Sequence, residues 1–152
     1  MYKIKPIDDK ELGAIKNSKE FALSDDINNT SKCVYSLVSD GATNERCAIL
    51  DVRSVPDWGA PNYKKYMRIY YANRLLDSTI TDKVALERRT TVLLGILTDV
   101  FVHIKSETDR TLVKIYADND LELGIFTEMA KALQSEYEVR MYKRWIDIRR
   151  VI

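Results

Sequence analysis

Few residues of this chain belong to the types that carry most enzyme chemistry. His103 is the single histidine, and without a second histidine or nearby cysteine ligands it cannot anchor zinc. One histidine on the flank of a predicted helix also gives no basis for a Ser/His/Asp or Cys/His arrangement, because the geometry must first bring a base to a nucleophile. The sequence therefore predicts neither a metal site nor a catalytic triad.

The two cysteines, Cys33 and Cys47, lie on two predicted strands that are joined by a turn at residues 41–45. A hairpin folded about that turn pairs Cys33 with a residue near Arg53, and Cys47 with one near Ser39. The sulfurs are then too far out of register for the Cα separation of about 5.5 Å that a disulfide needs. We expect reduced thiols, as in a cytosolic protein.

The C-terminal sequence YEVRMYKRWIDIRRVI alternates basic and aromatic residues. Such a pattern can follow a nucleic-acid backbone and stack bases, but a strand with one solvated face shows the same alternation. The net charge of the chain is +1, so it provides no long-range attraction to nucleic acid. Nucleic-acid binding remains an alternative, and it is not the expected partner.

A loop, PDWGAP at residues 56–61, places Trp58 between two prolines. The tryptophan could fold back onto the core, pack on a ligand or anchor a partner, and tryptophan is common among interface hot spots. The residues that we predict to bind a partner are Trp58, Tyr142, Trp145, Arg149 and Arg150.

Length and composition exclude several classes of protein. A chain of 152 residues with 45% hydrophobic content is expected to form one domain, residues 1–152, with a real core. The longest apolar stretch, residues 92–104, is interrupted by Thr98 and Asp99 and is shorter than the roughly 20 residues that cross a bilayer. The opening MYKIKPIDDK lacks an apolar signal core, so we expect a cytoplasmic protein, in a host cytoplasm or a virion if it is viral.

Hydrophobic periodicity predicts alternating strands and helices. The long helix at residues 81–105 is the most secure, because Leu93, Ile96, Leu97 and Val100 recur at three- and four-residue steps, and Ser78 or Thr81 could cap it. A first helix follows residues 8–9, and a second short helical piece is expected at 19–23. The other predicted elements are strands at 2–7, 33–40, 46–55, 66–76, 112–117 and 137–151, the last with a break near residue 142, and a helix at 119–133.

Two segments and the order of the elements resemble the GNAT superfamily, the Gcn5-related N-acetyltransferases. YKIKPIDDKEL (2–12) is similar to the family's first strand and first helix, and VKIYADNDLELGIF (113–126) is similar to its fifth strand and the helix that an asparagine opens. The resemblance implies an α/β fold, a single-domain mixed β-sheet flanked by helices, in the order β-α-β-β-β-α-β-α-β. It also implies that Asn119 would lie beside bound acetyl-coenzyme A.

The family's phosphate-binding turn is missing from this sequence. Family members hold the diphosphate on a Q/R-x-x-G-x-G/A turn, because glycine lets phosphate oxygens reach backbone N–H groups at a helix N-terminus. The corresponding residues 75–94 contain no glycine, and Asp77 and Asp82 place negative charge there, which opposes phosphate binding. Arg88 and Arg89 are either a remnant of this turn or solvent-facing residues of an amphipathic helix, and the second interpretation is favoured.

The acid that reprotonates the leaving thiolate is a second departure from the family. The family's tyrosine comes seven residues after the asparagine, and here that position is Phe126, which we interpret as a core residue. Glu122 or Glu128 could supply a general base, but helical carboxylates are usually solvated. With two catalytic features absent, the sequence favours a non-catalytic protein without a cofactor.

Three functions follow from these observations. The first is an assembly or partner-binding protein that acts through self-assembly or protein partners, as GNAT-like domains do in phage particles. The second is a divergent N-acetyltransferase, and the third is a nucleic-acid binder. An open wedge between the fourth and fifth strands favours the enzyme, and a wedge filled by Tyr70 or Phe126 opposes it. The residues that would bind acetyl-coenzyme A are Lys83, Arg88, Arg89 and Asn119, with the backbone of residues 71–76.

Overall fold

The computed structural model describes residues 1–21, 23, 34–56, 63–77, 79, 81–107, 112–117 and 120–150. Helices and strands alternate along the chain as the hydrophobic periodicity predicts. The strands are β1 (Tyr2–Pro6), β2 (Val34–Asp40), β3 (Arg46–Pro56), β4 (Tyr63–Tyr71), β5 (Leu112–Tyr116), β6 (Tyr137–Tyr142) and β7 (Trp145–Arg150). The helices are α1 (Asp9–Ser18), α2 (Lys83–Glu107) and α3 (Asp120–Leu133), with a 3-10 turn at Asn73–Leu75.

The seven strands form one mixed sheet in the order β1-β2-β3-β4-β5-β7-β6. The β4–β5 pair is parallel, and the other neighbouring pairs are antiparallel. The α/β class, the flanking helices and the predicted element order are therefore confirmed. The last predicted strand is split into β6 and β7 near residue 142, because Lys143 turns the chain with a φ of 54°.

The pairing register divides the side chains of the sheet between two faces, because directly opposed residues share a face. One face, which we call the apolar face, is buried under α2 and α3. The other, which we call the aromatic face, is partly exposed on β4, β5 and β7. The apolar face contains Met67, Ile69, Tyr71, Val113, Ile115, Ile146 and Ile148. The aromatic face contains Tyr66, Arg68, Tyr70, Lys114, Tyr116, Trp145 and Asp147, and of these only Tyr70 is buried.

Helix α2 buries the apolar stripe that its sequence predicts. Leu93, Ile96, Leu97 and Val100 are fully buried, and the ring of Phe101 packs edge-to-face on Tyr137 with centroids 5.7 Å apart. A Cβ added at Gly95 would lie 3.3 Å from the Tyr2 ring, so the small residue lets the helix approach β1. Burial of this stripe, rather than intrinsic helix propensity, holds the helix on the sheet.

Three local predictions are wrong. The described residues 19–21 and 23 do not form the second helix expected at 19–23, because Lys19 ends α1 in the left-handed conformation and Phe21 then forms an isolated bridge with Ala72. Strand β4 begins at Tyr63 and ends at Tyr71 instead of running from 66 to 76. Asp82 caps α2 instead of Thr81, since its Oδ1 accepts a hydrogen bond from Val84 N at 3.0 Å; Ser78 lies outside the described residues.

The β2–β3 hairpin has the register expected for unpaired cysteines. Val34 lies opposite Val52 and Val38 opposite Ala48, which places Cys47 close to the position opposite Ser39. Cys47 is a buried free thiol, and Cys33 lies outside the described part of the chain. Among the described helices, none combines the length and the apolar content needed to cross a bilayer.

Candidate functional site

The parallel strands β4 and β5 separate before β4 ends. Their pairing runs from Lys64 opposite Leu112 to Arg68 opposite Tyr116, where β5 stops. Residues 69–71 of β4 continue in register with β3, so on their other side the described residues provide no strand partner. This separation is the feature from which the site is built, and we call it the strand gap.

Main-chain groups of β4 point into the strand gap. Ala72 N donates to Cys47 O of β3 at 2.8 Å, and because successive residues of a strand point to opposite sides, the Ile69 carbonyl and Tyr71 N–H point away from β3. The chain after α1 closes the far end, where Asn73 N donates to Glu20 O at 3.0 Å. The strand gap therefore lies between the last β4–β5 pair and the point where the chain after α1 meets β4. Main-chain N–H and C=O groups of β4 form its polar edge.

The apolar face closes one side of the strand gap. Phe126 is 1% exposed, which confirms its interpretation as a core residue. The Tyr71 hydroxyl is buried with no hydrogen-bond partner among the described residues, and burial together with the charge of Glu122 raises the pKa of this tyrosine. The expectation that helical carboxylates are solvated holds for the exposed Glu128 and is wrong for Glu122, which is 1% exposed.

The aromatic face surrounds the other side of the strand gap. Trp145 packs edge-to-face on Tyr66, with ring centroids 5.7 Å apart, and is tilted against Tyr116 at 4.9 Å. The Arg68 guanidinium lies 5.0 Å from the centroid of the Tyr116 ring. These two residues form the last β4–β5 pair, so a cation and a phenol ring sit where the strands part.

An ion pair completes the aromatic face. Lys114 Nζ lies 3.0 Å from Asp147 Oδ1 and 5.8 Å from the centroid of the Trp145 ring. The lysine and aspartate side chains are 22% and 26% exposed. In this half-buried environment the ion pair is less screened than a surface salt bridge, and its lysine lies beside the Trp145 ring.

The β6–β7 turn is fastened to the end of the strand gap. Ala117 N donates to Arg144 O at 2.8 Å, and the Arg144 guanidinium donates to Asp120 Oδ1 at 2.9 Å. Asp120 is the first residue of α3. The turn, the end of β5 and the start of α3 therefore form one connected wall.

Comparison with solved structures gives whole-chain matches to N-acetyltransferases. A protein assigned as a phosphinothricin N-acetyltransferase is 13% identical with a TM-score of 0.47, over 100% of this chain and 99% of that chain. The NatC complex bound to Gag peptide and CoA gives 11% identity and a TM-score of 0.44, over 97% and 94%. A spermidine N-acetyltransferase chimera from Vibrio cholerae and hSSAT gives 11% and 0.45, over 98% and 92%.

The fold of the chain is similar to that of these N-acetyltransferases. Its own strand order has one parallel pair that separates within a mixed sheet. No protein-family model matches the sequence, and no curated protein matches it. At these identities and TM-scores the similarity extends to the fold and not to the substrate.

One prediction from the sequence is corrected by this comparison. We expected a chain without a cofactor, yet the matched structures are N-acetyltransferases and one of them was solved with CoA bound. The expectation of no cofactor is therefore wrong and is not kept. Whether the residues of this chain suit such a group depends on the strand gap and on the start of α2.

The start of α2 suits a diphosphate poorly. Asp77 Oδ1 accepts hydrogen bonds from Thr79 N and Thr79 Oγ1 at 2.9 and 2.7 Å, and these bonds lower the pKa of Asp77. Asp82 holds Val84 N in the same way. Two carboxylates therefore already bond to N–H groups that phosphate oxygens would need. The extended, amide-containing arm of acetyl-coenzyme A suits the main-chain edge of the strand gap better.

The four residues predicted to bind acetyl-coenzyme A differ in their exposure and contacts. Lys83 and Arg88 are exposed on the first turns of α2, where they could contact a phosphate from outside. Arg89 is half-buried, and its Nη1 donates a hydrogen bond to Asp77 O in the segment before α2. The interpretation of Arg89 as a solvent-facing residue is therefore wrong. Asn119 lies outside the described residues.

The predicted partner residues are only partly described. Tyr142, Trp145 and Arg149 lie on the same side of the β6–β7 hairpin as the aromatic face. Trp58 and the side chain of Arg150 lie outside the described part of the structure. His103 is exposed on α2, and no group of residues suited to a metal ion occurs among those described.

Sequence reasoning missed most of the aromatic face. Tyr66 and Arg68 alternate in YMRIYY, and Lys114 and Tyr116 alternate in LVKIY, so each pair was assignable to one side of a strand. What the sequence did not provide was the register that sets these two strands and Trp145 side by side.

Proposed function

We propose that this chain is a divergent N-acetyltransferase that transfers an acetyl group from acetyl-coenzyme A to an amine at the strand gap. The observation that carries the proposal is the short main-chain edge of β4 beyond the last β4–β5 pair. Acetyl-coenzyme A supplies the reactive thioester carbonyl. Because α3 and the apolar face close one side of the gap, the acceptor amine reaches this carbonyl from the aromatic face.

The reaction joins the amine nitrogen to the acetyl carbon and breaks the carbon–sulfur bond. The amine loses a proton to solvent water, and the departing thiolate takes one from a protein acid that solvent then re-protonates. Phe126 has no hydroxyl to supply it, whereas Tyr116 ends β5 at the strand gap and stands on the aromatic face. We assign this second proton transfer to the Tyr116 hydroxyl. A positioned acid of this kind contributes about 10²–10⁴-fold to a rate.

Binding is tested by titrating acetyl-coenzyme A and acetyl-pantetheine, which lacks the nucleotide, in calorimetry. Both are expected to bind saturably. Replacing Lys83 and Arg88 with alanine should weaken acetyl-coenzyme A and leave acetyl-pantetheine unchanged, because only the former has a diphosphate. Lys131→Ala is the matched control, since this exposed lysine lies in the last turn of α3. Absence of saturable binding by either thioester contradicts the proposal and favours the non-catalytic assembly protein.

Turnover is tested by following the free thiol of coenzyme A over a panel of amines. Tyr116→Phe should lower the rate about 100-fold or more without weakening acetyl-coenzyme A binding. Tyr66→Phe is the matched control, because it removes a hydroxyl from the same face one strand away. Equal rates for the two variants would exclude Tyr116 as the acid.

A further inference from the structure

A cavity of about 170 Å³ lies on the β6–β7 hairpin, and the proposed reaction does not yet use it. Four charged side chains line it: Glu138, Arg140, Asp147 and Arg149. Each basic residue lies directly opposite a carboxylate of the other strand, so all four are on one side of the hairpin. Asp147 is also opposite Lys114 of β5, which places this cavity on the aromatic face. We call it the hairpin cavity.

The side chains around the hairpin cavity are accessible to a ligand. Arg140 and Glu138 are 77% and 52% exposed, and Arg149 is exposed near the end of β7. Asp147 is less accessible, at 26%. A small ligand can therefore reach both guanidinium groups from solvent without a change in the fold.

The charge around the hairpin cavity favours an anion. Lys114 Nζ lies 3.0 Å from Asp147 Oδ1, and Arg140 Nη2 lies 2.9 Å from Glu138 Oε1. Together with Arg149, these residues comprise three cations and two carboxylates. This excess follows from the residue types and does not depend on which of them pair. A ligand group with one negative charge balances it.

The two arginines determine which anion fits. A guanidinium group presents paired N–H donors that match the oxygens of a carboxylate or a phosphate. Arg140 and Arg149 are diagonal neighbours across the two strands, and such positions are about 7–8 Å apart, so both side chains can reach one ligand group. A phosphate carries about 1.5–2 negative charges, whereas a carboxylate carries the single charge that the cavity matches.

The hairpin cavity is within reach of the strand gap along β7. Trp145 lies opposite Tyr116, where β5 ends, and Asp147 follows two residues later on the same face. At about 3.3 Å per residue, the middle of the cavity is about 10 Å from Trp145. A molecule that spans the two places would lay its central part along the half-buried Trp145 ring.

We propose that the acceptor is an amine with a carboxylate on the order of 10 Å from its nitrogen, and that Arg140 and Arg149 bind this carboxylate. The inference rests on the proposed acetyl transfer and names the substrate class for it. An apolar linker between the two groups packs on Trp145. Amines with a second cation in place of the carboxylate, such as polyamines, are disfavoured because they bring positive charge to a cavity that already has an excess of it.

The carboxylate site is tested by itself with octanoate, which has no amine to acetylate. In NMR titrations octanoate should shift main-chain amide signals of β6 and β7 saturably, and the uncharged octanamide should bind at least about tenfold more weakly. Arg140→Gln and Arg149→Gln should each weaken octanoate to the level of octanamide. Lys131→Gln is the matched control, because it removes an exposed charge from α3, on the other side of the sheet. Circular dichroism checks that all variants remain folded.

The link to the reaction is tested with ω-aminooctanoate and its amide, with the free thiol of coenzyme A as the readout. The acid should have a KM about tenfold lower than the amide, because only the acid bonds to the arginines through a charged group. Arg140→Gln and Arg149→Gln should raise the KM of the acid to that of the amide, and Lys131→Gln should not.

The two experiments separate failure of this inference from failure of acetyl transfer. Octanoate that binds no more tightly than octanamide, or that binds all variants equally, would overturn the carboxylate site, and tighter binding of octyl phosphate would overturn the choice of anion. Turnover with equal KM for the acid and the amide would overturn the acceptor class and keep acetyl transfer. Octanoate binding without acetylation of any amine would overturn the proposed function and support the carboxylate site.

Discussion

The apolar and aromatic faces are built from alternate residues of the same strands, yet they differ in burial and in chemistry. Ile115 is fully buried, while its neighbours Lys114 and Tyr116 are partly exposed and stack with other rings and cations. The difference indicates that the two faces have different roles. The apolar face supplies stability, and the aromatic face leaves half-exposed groups that a ligand can contact beside the strand gap.

The largest effect that this comparison predicts is on the free energy of unfolding. Ile115→Ala should lower it by about 2–5 kcal/mol, because a fully buried branched side chain leaves a cavity. Lys114→Ala, one residue away on the other face, should cost about 1 kcal/mol or less, as expected for a partly exposed ion pair. Urea denaturation measures both. Similar losses at the two positions would show that the aromatic face is also structural core.

Removing the Trp145 ring should affect catalysis more than folding. Under the proposed function, Trp145→Ala should raise the KM for the amine about tenfold, which corresponds to about 1.4 kcal/mol of lost contact. Binding of acetyl-coenzyme A should not change. Tyr142→Ala is the control, because this 68% exposed ring stacks only with Lys143 among the described ring contacts. Equal effects of the two variants on the KM would show that Trp145 does not contact the acceptor amine.

Tyr71 and Tyr116 should respond in opposite ways to loss of a hydroxyl. Tyr71→Phe removes a buried polar group that has no partner among the described residues, so the free energy of unfolding should rise by about 1 kcal/mol. Tyr116→Phe should leave stability unchanged while it lowers turnover. Thermal denaturation and the thiol assay separate the two outcomes. A loss of turnover with Tyr71→Phe would instead assign that hydroxyl a role in the strand gap.

The smallest predicted effect is a pH dependence that arises from Cys47. Burial raises the pKa of this thiol above its ordinary value of 9.0. The folded protein therefore holds the proton at a pH where the unfolded chain releases it, so stability is present below about pH 9 and falls as pH rises past it. Urea denaturation between pH 8 and 10, compared with Cys47→Ala, measures the slope. A slope that persists in the variant would assign the dependence to another group.

Most of the fold was predictable because its elements depend on local periodicity. The stripe of Leu93, Ile96 and Leu97 specifies α2, and the alternation in YMRIYY and LVKIY specifies the central strands. The errors fall where local signals are weak. Lys19 ends α1 through a positive φ of 58°, and β4 stops at Tyr71 because the chain turns into the 3-10 helix at Asn73–Leu75.

The candidate site was much less predictable. Lys83, Arg88 and Asn119 came from the resemblance, and their part in binding is still a prediction. The aromatic face combines residues from β4, β5 and β7, and these are separated by up to about 80 positions in the sequence. No local pattern links Tyr66, Tyr116 and Trp145, so their association required the sheet order.

The amino-acid sequence by itself determined the α/β class, the long apolar helix and the absence of a glycine-rich phosphate turn, since each depends on residue type and spacing over a few turns of chain. The tertiary structure decided where β4 and β5 part and which rings meet on the aromatic face. These features depend on strand register and on contacts between distant segments. The main-chain edge of β4 at the strand gap arises only from that assembly, and the proposed function rests on it.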